Sequence, residues 1–322
     1  MNAVFTSAAA GLREPGFLGR VGLVDMQTAV HLQASCNREG PVSPALAPII
    51  RLLRERHGLE VSSYDESFLS RSIEKRRQVT ACATAEAYLA RLAEDGAEAE
   101  SLWRSLRVCH SDFFRNPLAF AWLEQVILPG LFEARERSAQ GEIRIWSAAC
   151  AAGQEPWSVA ILLHELVEAR DREGRVSYRI FATDVSEPDL ALARAGVYSA
   201  AARGNVRRRY LDGPFVRQGD VFAIAPRLRA QVEFSFYDLL DESTTCPSAS
   251  IYGDFDVVLC SNVLLYYRLE AQRGILAKLW RCLTPGGYLV TGDTERPIVE
   301  AAGGFRAVAP CASVFQKTRG AP

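Results

Sequence analysis

The 322-residue sequence predicts an α/β protein: a doubly wound, mostly parallel sheet, preceded by a small N-terminal all-helical domain and carrying a small antiparallel β insertion. Three observations predict this. From Pro117 onward, short apolar runs alternate with longer amphipathic stretches, the rhythm of a parallel sheet covered by helices on both faces. Ahead of that point, from Ala45, apolar residues recur only at helical spacing. Between Gly196 and Gln231 the rhythm breaks into short alternating pieces among Gly and Arg, as in Val221-Phe222-Ala223-Ile224-Ala225.

Residues 1–45 are rich in Ala, Gly, Ser and Pro without a sustained period and read as a loose extension. Residues 46–118 read as the helical domain, on faces formed by Ile49, Ile50, Leu52 and Leu53, by Phe68, Leu69 and Ile73, by Tyr88, Leu89 and Leu92, and by Leu102, Trp103 and Leu106. Ser63 and Glu66 predict a capping box opening the second helix, because serine oxygen and glutamate carboxylate would satisfy backbone N–H groups with no partner inside the helix. That helix carries Arg71, Lys75, Arg76 and Arg77 against one internal acid, Glu74. The stripe is either a solvated face or an electrostatic docking surface for an acidic protein.

Residues 119–322 read as the α/β domain, with strands at 143–147, 178–183, 232–236, 255–260 and 288–291. Helices are expected at 156–169, 187–195 and 269–283, and the antiparallel insertion at about 197–231. Leu283-Thr-Pro-Gly-Gly287 reads as the turn between the last of these helices and its strand.

A net charge of −1 excludes a general polyanion binder, so no nucleic-acid partner is expected. The eight cysteines are scattered, with no C-x-x-C pair and no His placed to complete a zinc site; they read as reduced thiols of a cytoplasmic protein without a metal. No run approaches the roughly 18 consecutive apolar residues of a membrane span, and residues 1–11 lack the basic start and apolar core of a secretory signal. Neither membrane insertion nor export is expected.

In an open parallel sheet, ligands lie outside the carboxyl ends of the strands, which directs attention to the residues just after each one. The stretch Ile143-Arg-Ile-Trp-Ser-Ala-Ala-Cys-Ala-Ala-Gly153-Gln-Glu-Pro-Trp-Ser158 is a strand, a small-residue loop and a helix start, a loop a ligand can approach closely. Phe181-Ala-Thr-Asp184-Val-Ser186 ends the second strand about thirty residues later. Its carboxylate can accept hydrogen bonds from a ribose diol, or Asp184 or Ser186 can cap the next helix. Ser261 and Asn262 end the apolar strand Asp256-Val-Val-Leu-Cys260 and can bond a nucleoside or the amino-acid part of a ligand; alternatively Asn262 holds the turn.

Taken together, H-S-D-F-F-R-N at 110–116, the 143–158 stretch, A-T-D-V-S at 182–186, F-Y-D-L-L at 236–240 and C-S-N-V-L-L-Y-Y at 260–267 resemble, in order and spacing, the bacterial chemotaxis receptor methyltransferases. The helical domain, with Gly58-Leu59, Tyr64 and the basic stripe, is similar to that family's N-terminal domain, so the resemblance runs from about Ala45 to Lys317. It implies a sheet of the class I S-adenosylmethionine (SAM) methyltransferase type. It also implies SAM as methyl donor, S-adenosyl-L-homocysteine as product, and a glutamate on a chemoreceptor's acidic cytoplasmic helical bundle as acceptor.

Residue by residue, the resemblance implies that Arg115 lies beside donor and acceptor and that Cys109 and Ser111 contact the cofactor. Glu155 would bind the donor's amino-acid end and Asp184 its ribose. Asp238, Leu239, Ser261 and Asn262 would surround adenine and methionine, and Tyr266 would wall the acceptor pocket. Arg71, Lys75 and Arg77 would face the receptor. The sequence departs from the family pattern at Cys109 (normally Asn), Gln154 (a first Glu), Asp238 (Asn) and Ser261 (Arg). Two further readings accompany this one: a donor-sensing adaptor that has lost transferase activity, and a methyltransferase with a non-receptor acceptor.

Overall fold

The computed structural model describes residues 46–107, 111–138, 141–171, 174–211, 213–250 and 253–322. The extension expected at 1–45 therefore lies outside the described residues.

The helical unit opens with α1, Ala47–His57, which ends at Gly58 with φ 66°, a left-handed turn that glycine adopts without a Cβ penalty. Helix α2, Glu66–Val79, is capped by Asp65, whose carboxylate accepts the Phe68 N–H at 3.0 Å. The expected Ser63–Glu66 box is thus displaced: Glu66 pairs with Arg268 and the Ser63 carbonyl accepts from the Arg268 backbone. Helices α3, Ala85–Glu94, and α4, Gly96–Leu106, are capped by Thr84 and Asp95. Leu53, Leu69, Tyr88, Leu92 and Leu102 fill the core between the four helices. Within it, Glu98 is buried and satisfied by Arg76 Nε at 2.9 Å and the Tyr88 hydroxyl at 2.8 Å.

Phe113 and Phe114 already pack into the core under the sheet, whereas Leu106 packs among the helices. The chain thus changes core between these residues, ahead of the boundary at 118 expected from sequence. Next come α5, Pro117–Trp122, and α6, Leu128–Glu136, joined by a π-helical turn at Leu123–Ile127.

The α/β unit contains β1 Glu142–Ala148, α7 Gln154–Arg170, β2 Ser177–Asp184 and α8 Glu187–Ala195. The insertion follows, with β3 Val197–Ser199, β4 Phe215–Gln218, β5 Val221–Ile224 and a short helix, α9, Pro226–Arg229. The unit closes with β6 Val232–Phe236, β7 Phe255–Cys260, α10 Leu269–Cys282, β8 Leu283–Thr291, α11 Arg296–Ala302, β9 Phe305–Ala309 and β10 Ala312–Lys317.

Seven strands form one sheet in the order β6-β2-β1-β7-β8-β10-β9, parallel from β6 through β8 and antiparallel at β10 and β9. This is the doubly wound, mostly parallel sheet predicted. Strands β1 and β7 alternate between its two faces: Ile143, Ile145, Val257 and Leu259 meet α7, while Trp146, Ala148, Val258 and Cys260 meet α10. Burial on both faces explains why these strands read as continuous apolar runs.

One further expectation differs from the structure. The 283–287 segment is already strand, since β8 begins at Leu283; a Cβ at Gly287 would sit tightly, 3.1 Å from the Phe255 carbonyl oxygen. The small antiparallel β insertion predicted is present and forms its own three-stranded sheet, β3-β5-β4. Phe113 packs edge-on against Tyr198 and Phe215 of this sheet, with ring centroids 5.0 and 5.5 Å apart.

Candidate functional site

Because β2 and β6 lie to one side of β1 and β7 and β8 to the other, the strand order reverses between β1 and β7, and loops diverging there leave a crevice. A cleft of about 880 Å³ occupies that place. Its floor is Ala149, Cys150 and Ala151 after β1, Asp184 and Val185 at β2, and Ser261 to Val263 after β7. Ser111, Asp112, Arg115 and Asn116 form one wall, and Tyr64, Leu106 and Arg107 bring the helical unit onto the rim beside Tyr266 and Tyr267.

The backbone is strained around this cleft. Ala149, Ala151 and Asn262 line it with φ of 57°, 47° and 62°, and Phe114, next to Arg115, has φ 53°. Non-glycine residues hold such conformations only where their surroundings over-determine them, and these cluster at functional sites. At Phe114 the restraints are explicit: its N–H donates to Ser158 Oγ at 3.0 Å and its ring stacks on Tyr210 with centroids 5.7 Å apart.

Three acids shape the floor. Glu155, in the first turn of α7, accepts from the Ser147 hydroxyl at 2.8 Å. Loss of solvation pushes its carboxyl up to about 7; the Ser147 and Ser261 hydroxyls pull it back, Glu295 pushes it further up, and Arg115 favours the ionised form. Asp184 uses one oxygen to accept the Ala151 N–H and the other to accept the Ser186 N–H, both at 2.8 Å. Each oxygen keeps a lone pair. Burial raises its carboxyl from the usual value while the backbone donors act against the rise.

Glu295, which sequence reasoning missed, is fully buried beneath the β7 loop. Its oxygens accept four backbone N–H groups, from Asn262, Val263, Leu264 and Gly292, at 2.6–2.7 Å. Those bonds impose the left-handed turn at Asn262. Gly292 is required beside them, since a Cβ there would lie 2.8 Å from Asn262 Oδ1.

Of the residues singled out in the sequence, Ser111, Arg115, Glu155, Asp184, Ser261, Asn262 and Tyr266 converge on the cleft. Asp238 and Leu239 do not line it. Asp238 accepts the Leu240 N–H at 2.8 Å in the turn after β6, and Leu239 is buried in the core on the α10 face. Cys109 lies outside the described residues. In the basic stripe, Arg77 is turned inward, bonded to Glu74 and to the carbonyls of Cys82 and Ala83, leaving Arg71 and Lys75 on the exposed face.

The floor suits a cationic nucleoside. Glu155 offers a carboxylate to an ammonium group and Asp184 offers lone pairs to a diol. Asn262 Nδ2 is a buried donor without a partner among the described residues, as is the acceptor Gln154 Oε1 at the start of α7. An unpaired buried amide is costly unless a ligand completes it. Among the described residues no group of three or more His, Cys, Asp or Glu is placed to hold a metal ion.

Fold and cleft thus define a methyltransferase-type α/β sheet with its nucleoside crevice at the β1/β7 switch point. The CheR methyltransferase SAM-binding domain matches residues 109–309 and the CheR methyltransferase all-alpha domain residues 44–106. The chain belongs to the CheR methyltransferase family and carries its SAM-binding domain.

It is 37% identical over 190 residues to chemotaxis protein methyltransferase 1 of Pseudomonas aeruginosa, covering 57% of this chain and 64% of that one. Identity to the chemotaxis protein methyltransferase of Listeria monocytogenes is 28% over 246 residues, 76% of this chain and 87% of the relative. An uncharacterized 104.1 kDa protein of Rhodobacter capsulatus is 30% identical over 277 residues, 85% of this chain but only 28% of that protein. The chain therefore spans less than two thirds of the length of two of these relatives.

Proposed function

We propose that the protein is a cytoplasmic SAM-dependent O-methyltransferase that forms glutamate methyl esters on the cytoplasmic domain of chemoreceptors. One observation carries the reading. A single cleft is lined by the carboxylates of Asp184, at the end of β2, and Glu155, at the start of α7, together with Arg115, whose charge is felt by both Glu155 and Tyr266. The anionic floor suits a cationic donor and the cationic wall an anionic acceptor. The names of the Pseudomonas and Listeria relatives support the chemotaxis setting.

When bound, the donor supplies an electrophilic methyl carbon on a sulfonium. Glu155 holds the ammonium end, with Ser111 and Ser261 beside it. Asp184 fixes the ribose diol through the lone pairs left by Ala151 and Ser186, and the Asn262 amide gains the partner it lacks. Arg115 draws in the acceptor carboxylate and sets its angle. That carboxylate, with an ordinary value near 4.3, is ionised at neutral pH, so no general base is needed and positioning carries the rate. Tyr266, kept protonated because burial raises its phenol, walls the approach, and Tyr64 and Tyr267 exclude water from the rim. No step calls for a metal.

The test is to incubate the protein with labelled donor and membranes of the source cell, then measure alkali-labile label on the receptors. Arg115→Ala is expected to lower turnover by about 100-fold or more, on the scale of positional losses. Asp184→Ala is expected mainly to weaken donor binding. Normal kinetics in both would defeat the assignment. A donor-sensing adaptor is the competing reading, favoured by Ser261 in place of the family arginine and by the unpartnered Gln154 Oε1. Donor binding without ester formation on any acceptor would establish it.

A further inference from the structure

Arg115 and Phe120 also line a second cleft, of about 570 Å³. Its remaining lining comes from Phe114 and Pro117, from Glu124 in the π-helical turn, and from Asn205, Arg207 and Tyr210 of the insertion. The two clefts thus adjoin at side chains they share.

The second cleft is cationic. Glu124 accepts from Arg207 at 2.9 Å and from the Tyr210 hydroxyl at 2.9 Å, and pairs with Arg209. Arg209 also lies over the Tyr210 ring, 4.6 Å from its centroid. Among the described residues, Glu124 is the one acid in the cleft's lining, against Arg115 and Arg207 there and Arg209 beside it; Glu165 adds a more distant negative charge felt at Tyr210. The side chains of Arg207 and Arg209 remain 52% and 53% exposed. The scaffold beneath is rigid, since Tyr210 stacks on the strained Phe114 and Glu124 sits in a π-helical turn, an irregularity that recurs at functional sites.

We infer that this second cleft is a subsite for another acidic side chain of the acceptor, one turn of helix away from the carboxylate that receives the methyl group, with Arg207 and Arg209 as specificity-determining residues. The inference rests on the methyl-transfer reading above and refines it. On a helix, side chains four residues apart lie on one face with Cβ atoms about 5–6 Å from one another, so a single helix can present a carboxylate to each of two adjoining clefts. Two guanidinium groups on one carboxylate leave spare donors for an incoming anion, and a bidentate fork suits a carboxylate.

The test uses the full chain loaded with S-adenosylhomocysteine and a labelled alanine-rich helical peptide of roughly 20 residues. One form carries two glutamates four positions apart; the other replaces one of them with glutamine. The two-glutamate peptide is expected to bind the wild type about tenfold more tightly. Arg207→Gln combined with Arg209→Gln is expected to abolish that preference. Glu124→Gln, which frees both guanidinium groups without removing them, is expected to increase it, so the test does not depend on the double variant folding normally. Equal binding of the two peptides by the wild type, or a preference that survives the double variant, would overturn the subsite. Failure of the wild type to esterify receptors while it still prefers the two-glutamate peptide would instead defeat the methyl-transfer reading, leaving a site for acidic helices without its role toward a methyl acceptor.

Discussion

A buried carboxylate is a burden to the protein until a cation pairs with it, and Glu155, proposed above to hold the donor's ammonium, shows the cost as a carboxyl raised to about 7 by loss of solvation. The unfolded chain binds fewer protons at this group between the ordinary carboxylate value and about 7, so its contribution to folding becomes less favourable as pH rises through that window. Donor binding has the complementary dependence, because the ammonium needs the ionised form. Donor affinity is therefore expected to be flat above about pH 7 and to fall toward tenfold per unit below it, as read by calorimetry from pH 5.5 to 8. Affinity independent of pH across that range would remove Glu155 from the donor site. Glu155→Gln keeps an acceptor for the Ser147 hydroxyl and removes the charge. It is expected to hold or raise the melting temperature of the donor-free protein at pH 8 while abolishing the rise that donor normally produces.

Between residue and fold stands the loop after β7, shaped by four backbone bonds to Glu295. Glu295→Gln would turn an amide N–H₂ toward backbone donors, and each buried group left unpaired costs about 1–3 kcal/mol. A loss of roughly 2–5 kcal/mol in chemical denaturation is expected, with donor affinity weakened because Asn262 is no longer held in its turn. Unchanged stability would show that the loop needs no such anchor. This anchor was not legible in the sequence: Glu295 lies about thirty residues past the loop it serves, among ordinary polar neighbours, and gains meaning only when β8 is laid beside β7. What could be read was local. Residues 232–236 and 255–260 read as strands and fold as β6 and β7, because short apolar runs bounded by polar turns allow little else. Asp65 displaced Ser63 as the cap of α2 because Arg268, more than two hundred residues away in the chain, takes the Ser63 carbonyl and Glu66 for the domain contact. Arg77 was read with the exposed stripe because helical spacing cannot reveal the loop carbonyls of Cys82 and Ala83 that draw it inward. Charge reversal at Arg71 and Lys75 should consequently weaken receptor methylation in a salt-dependent way without altering stability, whereas Arg77→Ala should lower the melting temperature. Receptor methylation unaffected by the reversal at low salt would remove the docking role.

At the scale of the whole molecule the cleft exists only while the helical unit is seated on the sheet, because Tyr64, Leu106 and Arg107 come from one and the strand-end residues from the other. The seat is small and specific. Tyr64 stacks on Tyr267 with centroids 5.2 Å apart, Phe68 meets Tyr266 at 4.8 Å, and the Asp65 N–H donates to the Tyr266 carbonyl at 2.8 Å. Arg268 completes it, giving its backbone N–H to Ser63 at 2.9 Å, its Nε to the Tyr64 carbonyl at 3.1 Å and its terminal nitrogen to Glu66 at 2.9 Å. A ligand that touches both sides binds only the seated form, so it must stabilise the seat by its own binding free energy, about 2.7 kcal/mol at a hundred times its dissociation constant. Arg268→Ala removes two of the three bonds that residue makes and leaves both hydrophobic cores intact. In the variant, hydrogen exchange is expected to show residues 47–106 losing protection while β1, β2 and β7 keep theirs, and saturating S-adenosylhomocysteine is expected to restore much of the lost protection. If the helices stay as protected as in the wild type, or if the ligand protects the sheet alone, the helical unit and the donor site are energetically independent and the rim residues play no part in holding the donor.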